Sequence, residues 1–246
     1  METMGGKEMA KIWEGIWEKA KVEEWDALSE TIHRSLRKEI ASTNSRMILE
    51  AGSGTGRISF KLKEEEKGDV ILLDISKTAV RISRNFFKRR GLTGFFILGS
   101  IFKIPIKDDF IDIVWNAGVL EHFSDYKRIL ALKEMTRVCK KNGLIITLNP
   151  YSRAIFYRIG KWFAEKRNRW IYGYEKPIKS ITGYAVENCQ WIAEHPTDLD
   201  VSIGFLSSVP YLRYFIPMLH ELFKKLPTCI SDHFGYLLIS IAIKVK

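Results

Sequence analysis

Residues 47–60, MILEAGSGTGRISF, place an acid, Glu50, just before three glycines at alternate positions, with Ser53 and Thr55 between them. Gly52, Gly54 and Gly56 let the backbone turn sharply and approach a ligand closely, since a Cβ at any of them would obstruct either the turn or the contact. Between a strand and a helix, such a turn offers free N–H groups to a negatively polarised ligand. Asp74 ends the next apolar run, eighteen residues after Gly56. A carboxylate there can accept both hydroxyl protons of a ribose, in charge-assisted bonds worth about 1.5–3 kcal/mol each.

Spacing separates the ligand classes that share this geometry. The dinucleotide pattern G-x-G-x-x-G fails because Arg57 stands three residues after Gly54, and the phosphate loop G-x-x-x-x-G-K-[ST] lacks its lysine and hydroxyl. The NAG of 116–118 and the Tyr157-x-x-x-Lys161 pair resemble parts of the short-chain dehydrogenases. That family's nucleotide loop would want glycine where Glu50 stands, and an acid there repels a pyrophosphate. It suits a cation.

Around these residues, short β-branched and aromatic runs alternate with helical ones. MILEAG (47–52), DVILLDI (69–75), GFFILGS (94–100), IDIVWNAG (111–118) and GLIITLN (143–149) read as strands. RISFKLKEEEK, KTAVRISRNFFKRRG and DYKRILALKEMTRVCKKNG between them have helical period and end in glycine or charge. The alternation implies a parallel sheet with helices on both faces. LDVSIGF (199–205) and GYLLISIAIKVK (235–246) read as two further strands joined by a long connection, the last antiparallel to the rest. Before the first strand, Trp13, Ile16, Trp17 and Ala20 fall at helical spacing in one or two amphipathic helices over 7–40.

ILEAGSGTG, then LLDIS, then GSIFKIPIKDDFIDIVWNAGVLEHF and CKKNGLIITLNP, resembles the ordered motif series of class I S-adenosylmethionine-dependent methyltransferases of the small-molecule type, over about residues 45–150. The resemblance implies a three-layer α/β/α sandwich with a seven-stranded mixed sheet whose last strand is antiparallel, plus a helical lid over 1–44. It further implies a cofactor-binding core over 45–150, a substrate cap inserted over 151–196, and C-terminal strands over 197–246 that complete the sheet.

By the same resemblance, Glu50 positions the amino group of S-adenosylmethionine, and the loop Gly52, Ser53, Gly54 to Gly56 passes under its methionine and ribose portions. Asp74 takes the ribose hydroxyls, and Ile75 packs on the adenine. The family usually carries an acid after the third strand; here Ser100 stands there and accepts the adenine amino group, beside the backbone of Ile101. Asn116, Ala117 and Gly118 line the methionine end, and Glu121 and His122 stand at its mouth as candidates for proton removal, His122 having an unperturbed pKa near neutrality. The product is S-adenosylhomocysteine and no metal is expected. Trp13 and Trp17 belong to the lid.

The stretch YSRAIFYRIGKWFAEKRNRWIYGYEKPIKS, residues 151–180, carries eight basic and two acidic side chains out of a chain whose net charge is +10. As a helix it places Tyr151, Ile155, Ile159, Trp162 and Phe163 on one face, with Arg153, Arg158 and Lys161 on its flanks and back. Three readings follow: a cap whose aromatics pack on the core, a face for an anionic membrane that admits a lipid-like acceptor, or a stacking surface for RNA. The acceptor is a small molecule or lipid-like compound on the enzymatic reading. The rival class is a non-enzymatic RNA- or membrane-binding protein on the same fold, and a weaker rival is a short-chain dehydrogenase.

A chain of 246 residues with 46% apolar and 28% charged residues can bury a sizeable core and lacks the biased composition of disorder. The longest apolar run, GYLLISIAI, is about half of a membrane span, and charges break the N-terminal stretch where a signal peptide needs its apolar core. Cys139, Cys189 and Cys229 follow no disulfide or metal pattern. These features point to the cytoplasm, with the basic insert as the element for peripheral membrane contact.

Overall fold

In the computed structural model, the described residues are all but 1–5, 21–22, 42, 44–45, 66, 226 and 228–231, so Cys229 lies outside them. Seven strands form one sheet: β1 (Met47–Ala51), β2 (Asp69–Asp74), β3 (Phe95–Leu98), β4 (Ile111–Ala117), β5 (Cys139–Pro150), β6 (Cys189–Thr197) and β7 (Leu237–Lys244), in the order β3-β2-β1-β4-β5-β7-β6. The helices are α1 (Gly6–Trp17), α2 (Ala27–Ala41), α3 (Arg57–Glu64), α4 (Lys77–Arg89), α5 (Asp125–Val138), α6 (Ile155–Lys166), α7 (Leu199–Gly204) and α8 (Ile216–Lys224).

β1 pairs in parallel with β2 on one side and β4 on the other, and β7 pairs antiparallel with both β5 and β6. The direction of winding reverses at β1, which opens a crevice beyond the carboxyl ends of β1 and β4. Both faces of the central strands are covered, so Ile48, Leu49, Ile113 and Val114 are wholly buried. This explains their continuous apolar runs where a half-exposed strand would alternate.

The C-terminal third departs from the sequence reading. LDVSIGF alternates like a strand, yet residues 199–204 are helical, because Asp198 accepts the Val201 N–H through its side chain and caps the turn. The sixth strand is instead CQWIAEHPT, inside the 151–196 stretch expected to be cap. β5 begins at Cys139, four residues earlier than GLIITLN suggests. Among the described residues no helix is long and apolar enough to cross a membrane.

Of the three readings of the 151–180 stretch, packing on the core does not describe Ile155, Ile159 and Trp162, which are exposed, while Tyr157, Gly160, Lys161 and Ala164 form the buried side of α6. Gly160 explains the choice: its Cα lies so close to Phe205 that a Cβ would stand 2.2 Å from the Phe205 carbonyl oxygen. Only that side of α6 lets the backbones approach so closely.

Candidate functional site

The glycine turn is folded under the end of β2, with the N–H groups of Gly52 and Ser53 both donating to the Leu73 carbonyl at 2.7 and 3.0 Å. Gly52, Gly54 and Gly56 have φ of +89°, +52° and +70°, which L side chains rarely adopt. From the neighbouring strand, Asp74 reaches across: one carboxylate oxygen accepts the Gly54 N–H at 2.7 Å and the other the Ser76 N–H at 2.8 Å. Ser76 then caps α4, and the Ser83 hydroxyl of α4 lies 3.0 Å from the Gly54 carbonyl. The turn is thus held from both sides, and the carboxylate keeps lone pairs for a further donor.

This turn floors a cavity of about 390 Å³ at the carboxyl ends of β1, β2 and β4. Glu50, Gly52, Ser53, Gly54, Asp74 and Ile75 line one end of it. Ser100 and Ile101, and then Ala117, Gly118, Glu121 and His122, line it further along.

Two expected residues do not face it. Asn116 alternates with Trp115 and Ala117 along β4, so its side chain points to the opposite face, where Nδ2 lies 3.3 Å from the sulfur of Met135. Gly56 sits behind the turn as the residue preceding α3, and a Cβ there would meet Leu72 at 2.1 Å. Its role is helix-on-sheet packing. Tyr157 and Lys161 do not face the cavity either: the Tyr157 hydroxyl donates to Glu175, and the Lys161 ammonium pairs with Glu165 and lies 4.4 Å over the Trp170 ring. The dehydrogenase-like couple is therefore structural.

Residues outside the sequence motifs complete the walls. Trp13 and Trp17 of α1 stack at 5.5 Å, and Trp13 meets the His122 ring edge-on at 5.1 Å. Trp170, Tyr172, Glu175, Phe205 and Tyr236 close the far side. The strap bearing Trp170 to Glu175 is stitched down by Lys176 N–H donating to the Glu121 carbonyl at 2.8 Å and by buried Arg128 donating to the Lys176 carbonyl at 2.9 Å. The aromatic richness of 151–180 signalled such a wall; the part played by Phe205 and Tyr236 depends on chain segments far apart in sequence and carries no local mark.

The electrostatics follow from burial. Glu50 is pushed up to about 8 by desolvation, with the Ser59 hydroxyl, 2.5 Å away, working against the shift and Asp74 adding to it. Desolvation also raises Asp74. Glu121 is raised well above the usual carboxyl range by burial and by the neighbouring Glu175. Its Oε2 has no hydrogen-bond partner among the described residues. His122 is lowered to about 4 by burial, against a hydrogen bond to the Tyr174 carbonyl at 2.7 Å. A carbonyl only accepts, so Nδ1 carries the proton, and Nε2, 3.8 Å from Glu121, presents a bare lone pair.

The residues present fit the S-adenosylmethionine that the sequence resemblance implies. A Cβ on Gly52 would come within 2.6 Å of Val119 and one on Gly54 within 2.6 Å of Trp17, so only glycine lets these two cavity-wall side chains lie against the turn. The donor set offers a carboxylate for a diol, an acid for an ammonium and apolar walls for rings. Among the described residues no group of three or more His, Cys, Asp or Glu side chains is arranged to hold a metal.

Comparison with known proteins agrees with this geometry. A family model described as a methyltransferase domain matches residues 42–194. The ubiquinone/menaquinone biosynthesis C-methyltransferase UbiE of Vibrio vulnificus is 29% identical over 144 residues, covering 55% of this chain and 54% of that protein. Its Shewanella counterpart is 29% identical over 131 residues, covering 50% and 51%. The chain matches about half the length of these curated relatives. Among solved structures, a SAM-dependent methyltransferase from Thermotoga maritima superposes with a TM-score of 0.59 at 18% identity, over 96% of this chain and 99% of that one. The [4+2]-cyclase SpnF superposes with a TM-score of 0.62 at 13% identity, over 93% and 86%. At such identities these likenesses establish the fold.

Proposed function

Since the chain belongs to the methyltransferase-domain family, we propose that it is an S-adenosylmethionine-dependent methyltransferase whose acceptor, a small molecule or lipid-like compound, reaches the aromatic end of the cavity. The observation that carries this reading is the Asp74 carboxylate bonded to Gly54 N–H at the floor of a cavity, with acid Glu50 beside it.

S-adenosylmethionine, when bound, supplies a methyl group already activated on a sulfonium, ready for in-line displacement. The chain's own residues then have three tasks. Asp74 accepts the ribose hydroxyls with its remaining lone pairs, Ile75 and Ile101 flank the adenine, and Glu50 compensates the ammonium once ionised. Trp13, Trp17, Trp170 and Tyr172 exclude water and orient the acceptor, an alignment that can be worth up to about 7–11 kcal/mol. His122 Nε2 takes the proton of an acceptor that arrives protonated.

Calorimetric titration with S-adenosylhomocysteine, NADH serving as control, tests the reading. Binding of the former alone supports it. Absence of binding by both overturns it in favour of a non-catalytic protein on this fold, and binding of NADH alone would favour a dehydrogenase.

A further inference from the structure

We propose that the outward face of α6, with the neighbouring 211–222 segment, docks on an anionic bilayer surface. On α6 the buried residues Tyr157, Gly160, Lys161 and Ala164 occupy one side. Directly opposite, at spacings of four and three, Ile155, Ile159 and Trp162 are 47%, 38% and 52% exposed. The Lys166 ammonium lies 5.8 Å above the Trp162 ring and continues the stripe by one more turn.

Beside this helix, joined to it by the Phe156–Phe223 ring contact at 5.2 Å, lies α8, none of whose residues is buried. It exposes Met218 and Leu222, and Tyr211, Tyr214 and Phe215 are exposed just before it. The cavity lies behind α6, where Trp170 stands under Lys161 of the buried side and meets Tyr172 at 5.3 Å. Tyr172 is itself 41% exposed and lines the cavity.

Charge selects the occupant. Residues 151–180 carry a net +6, and Arg153, Arg158, Lys166 and Arg167 flank or continue the stripe. An apolar stripe rimmed by cations, with tryptophan and tyrosine at its edge, is the composition of a helix that lies in an anionic lipid interface. A second copy of the chain would bring the same cations face to face. A nucleic acid would meet Ile155, Ile159, Met218 and Leu222 among the exposed rings, apolar side chains that a lipid interface accommodates and a phosphate backbone does not. The docking face stands without the methyltransferase reading.

The test is co-sedimentation of the full chain with vesicles of phosphatidylglycerol and phosphatidylcholine in equal parts, against vesicles of phosphatidylcholine alone. The expected result is binding to the anionic vesicles, reduced about tenfold or more in Ile159→Glu/Trp162→Glu. Both side chains are exposed, so that variant keeps its fold and its S-adenosylhomocysteine titration. A charge variant, Arg153→Gln/Arg158→Gln/Lys166→Gln, loses the preference for anionic over neutral vesicles.

Failure to sediment, or sedimentation that both variants leave unchanged, overturns the proposal. Binding of single-stranded RNA without vesicle binding overturns it in favour of the nucleic-acid reading, and a dimer that Ile159→Glu/Trp162→Glu dissociates does so in favour of self-association. Vesicle binding by a chain that fails the S-adenosylhomocysteine titration leaves the docking face in place and removes the enzymatic reading alone.

Discussion

The Glu14 carboxylate of α1 accepts the backbone N–H of Lys77 at 2.7 Å and that of Thr78 at 3.2 Å, so it caps α4 from another helix. Slight desolvation works against this carboxyl, but the bonds from Thr78 and Lys77 outweigh it and hold it below the usual carboxylate range. The bond latches α1 over the cavity it walls with Trp13 and Trp17, and a carboxylate is favoured at a helix N-terminus.

Release of the latch speeds exchange of whatever lies beneath. In Glu14→Ala, dissociation of S-adenosylhomocysteine quickens several-fold while the floor of the site is untouched. Stopped-flow tryptophan fluorescence reads this directly, since Trp13 and Trp17 line the cavity. An unchanged dissociation rate would mean that α1 is no gate.

Removal of the Asp74 carboxylate takes away the ribose acceptor and unpairs two backbone N–H groups. Asp74→Ala weakens S-adenosylhomocysteine by about tenfold or more, as expected for loss of charge-assisted bonds of about 1.5–3 kcal/mol each. Asp74→Asn, which keeps one acceptor oxygen, is intermediate. Calorimetry checks affinity, and thermal unfolding shows that both variants remain folded.

Gly54 and Gly56 separate in their effects. Alanine at Gly56 meets Leu72 inside the sheet layer and strains a φ of +70°, so Gly56→Ala loses about 2–4 kcal/mol of stability. Alanine at Gly54 meets the Trp17 ring, which belongs to a helix that can shift outward. Gly54→Ala, strained by a φ of +52° but free of the clash inside the sheet layer, loses less stability than Gly56→Ala and loses S-adenosylhomocysteine affinity. Paired denaturation and titration curves distinguish the two.

Binding is linked to protons through Glu50. Its carboxyl, near 8 in the folded chain, remains mostly protonated at pH 7, and a ligand ammonium beside it favours the ionised form. S-adenosylhomocysteine therefore releases close to one proton at pH 7 and binds more tightly as pH rises toward 8. Titrations in buffers of different ionisation enthalpy measure the release, which disappears in Glu50→Gln.

Stability without ligand has two opposing slopes. Glu50 is raised above its unfolded value of 4.5, so its contribution is whole below that pH and is lost as pH climbs through about 8. His122 is lowered from 6.5 to about 4, so its contribution is whole above 6.5 and is lost as pH falls through about 4. The His122→Gln variant accordingly shows a flatter acid limb in thermal unfolding, with S-adenosylhomocysteine affinity retained and turnover of a protonated acceptor lost.

The glycine-turn end of the cavity was legible because its elements are local. β1, the turn and α3 are continuous in sequence, and Asp74 lies one strand away, so period and spacing carry the arrangement. Ala117 and Gly118 line the cavity as expected, whereas strand alternation turns Asn116 away from it and brings Trp115 to it. LDVSIGF satisfies a period of two as well as a helical turn, and the Asp198 cap decides between them. On α6 both sides are apolar, so periodicity alone could not choose; the close approach at Gly160 does. The acceptor end gathers Trp170, Phe205 and Tyr236 from three separate segments, an encounter only tertiary packing determines.

Thr197 and Leu237 face each other as register partners across β6 and β7. Residues 198–236, which hold Phe205, α7, α8 and Tyr236, therefore leave the sheet and return to it at adjacent points. Such a segment is a cassette: divergence could lengthen, shorten or replace it while β6 and β7 stay in register and the Gly54–Asp74 clasp stays untouched. The aromatic wall formed by Phe205 and Tyr236 can thus be inherited and exchanged separately from the glycine turn.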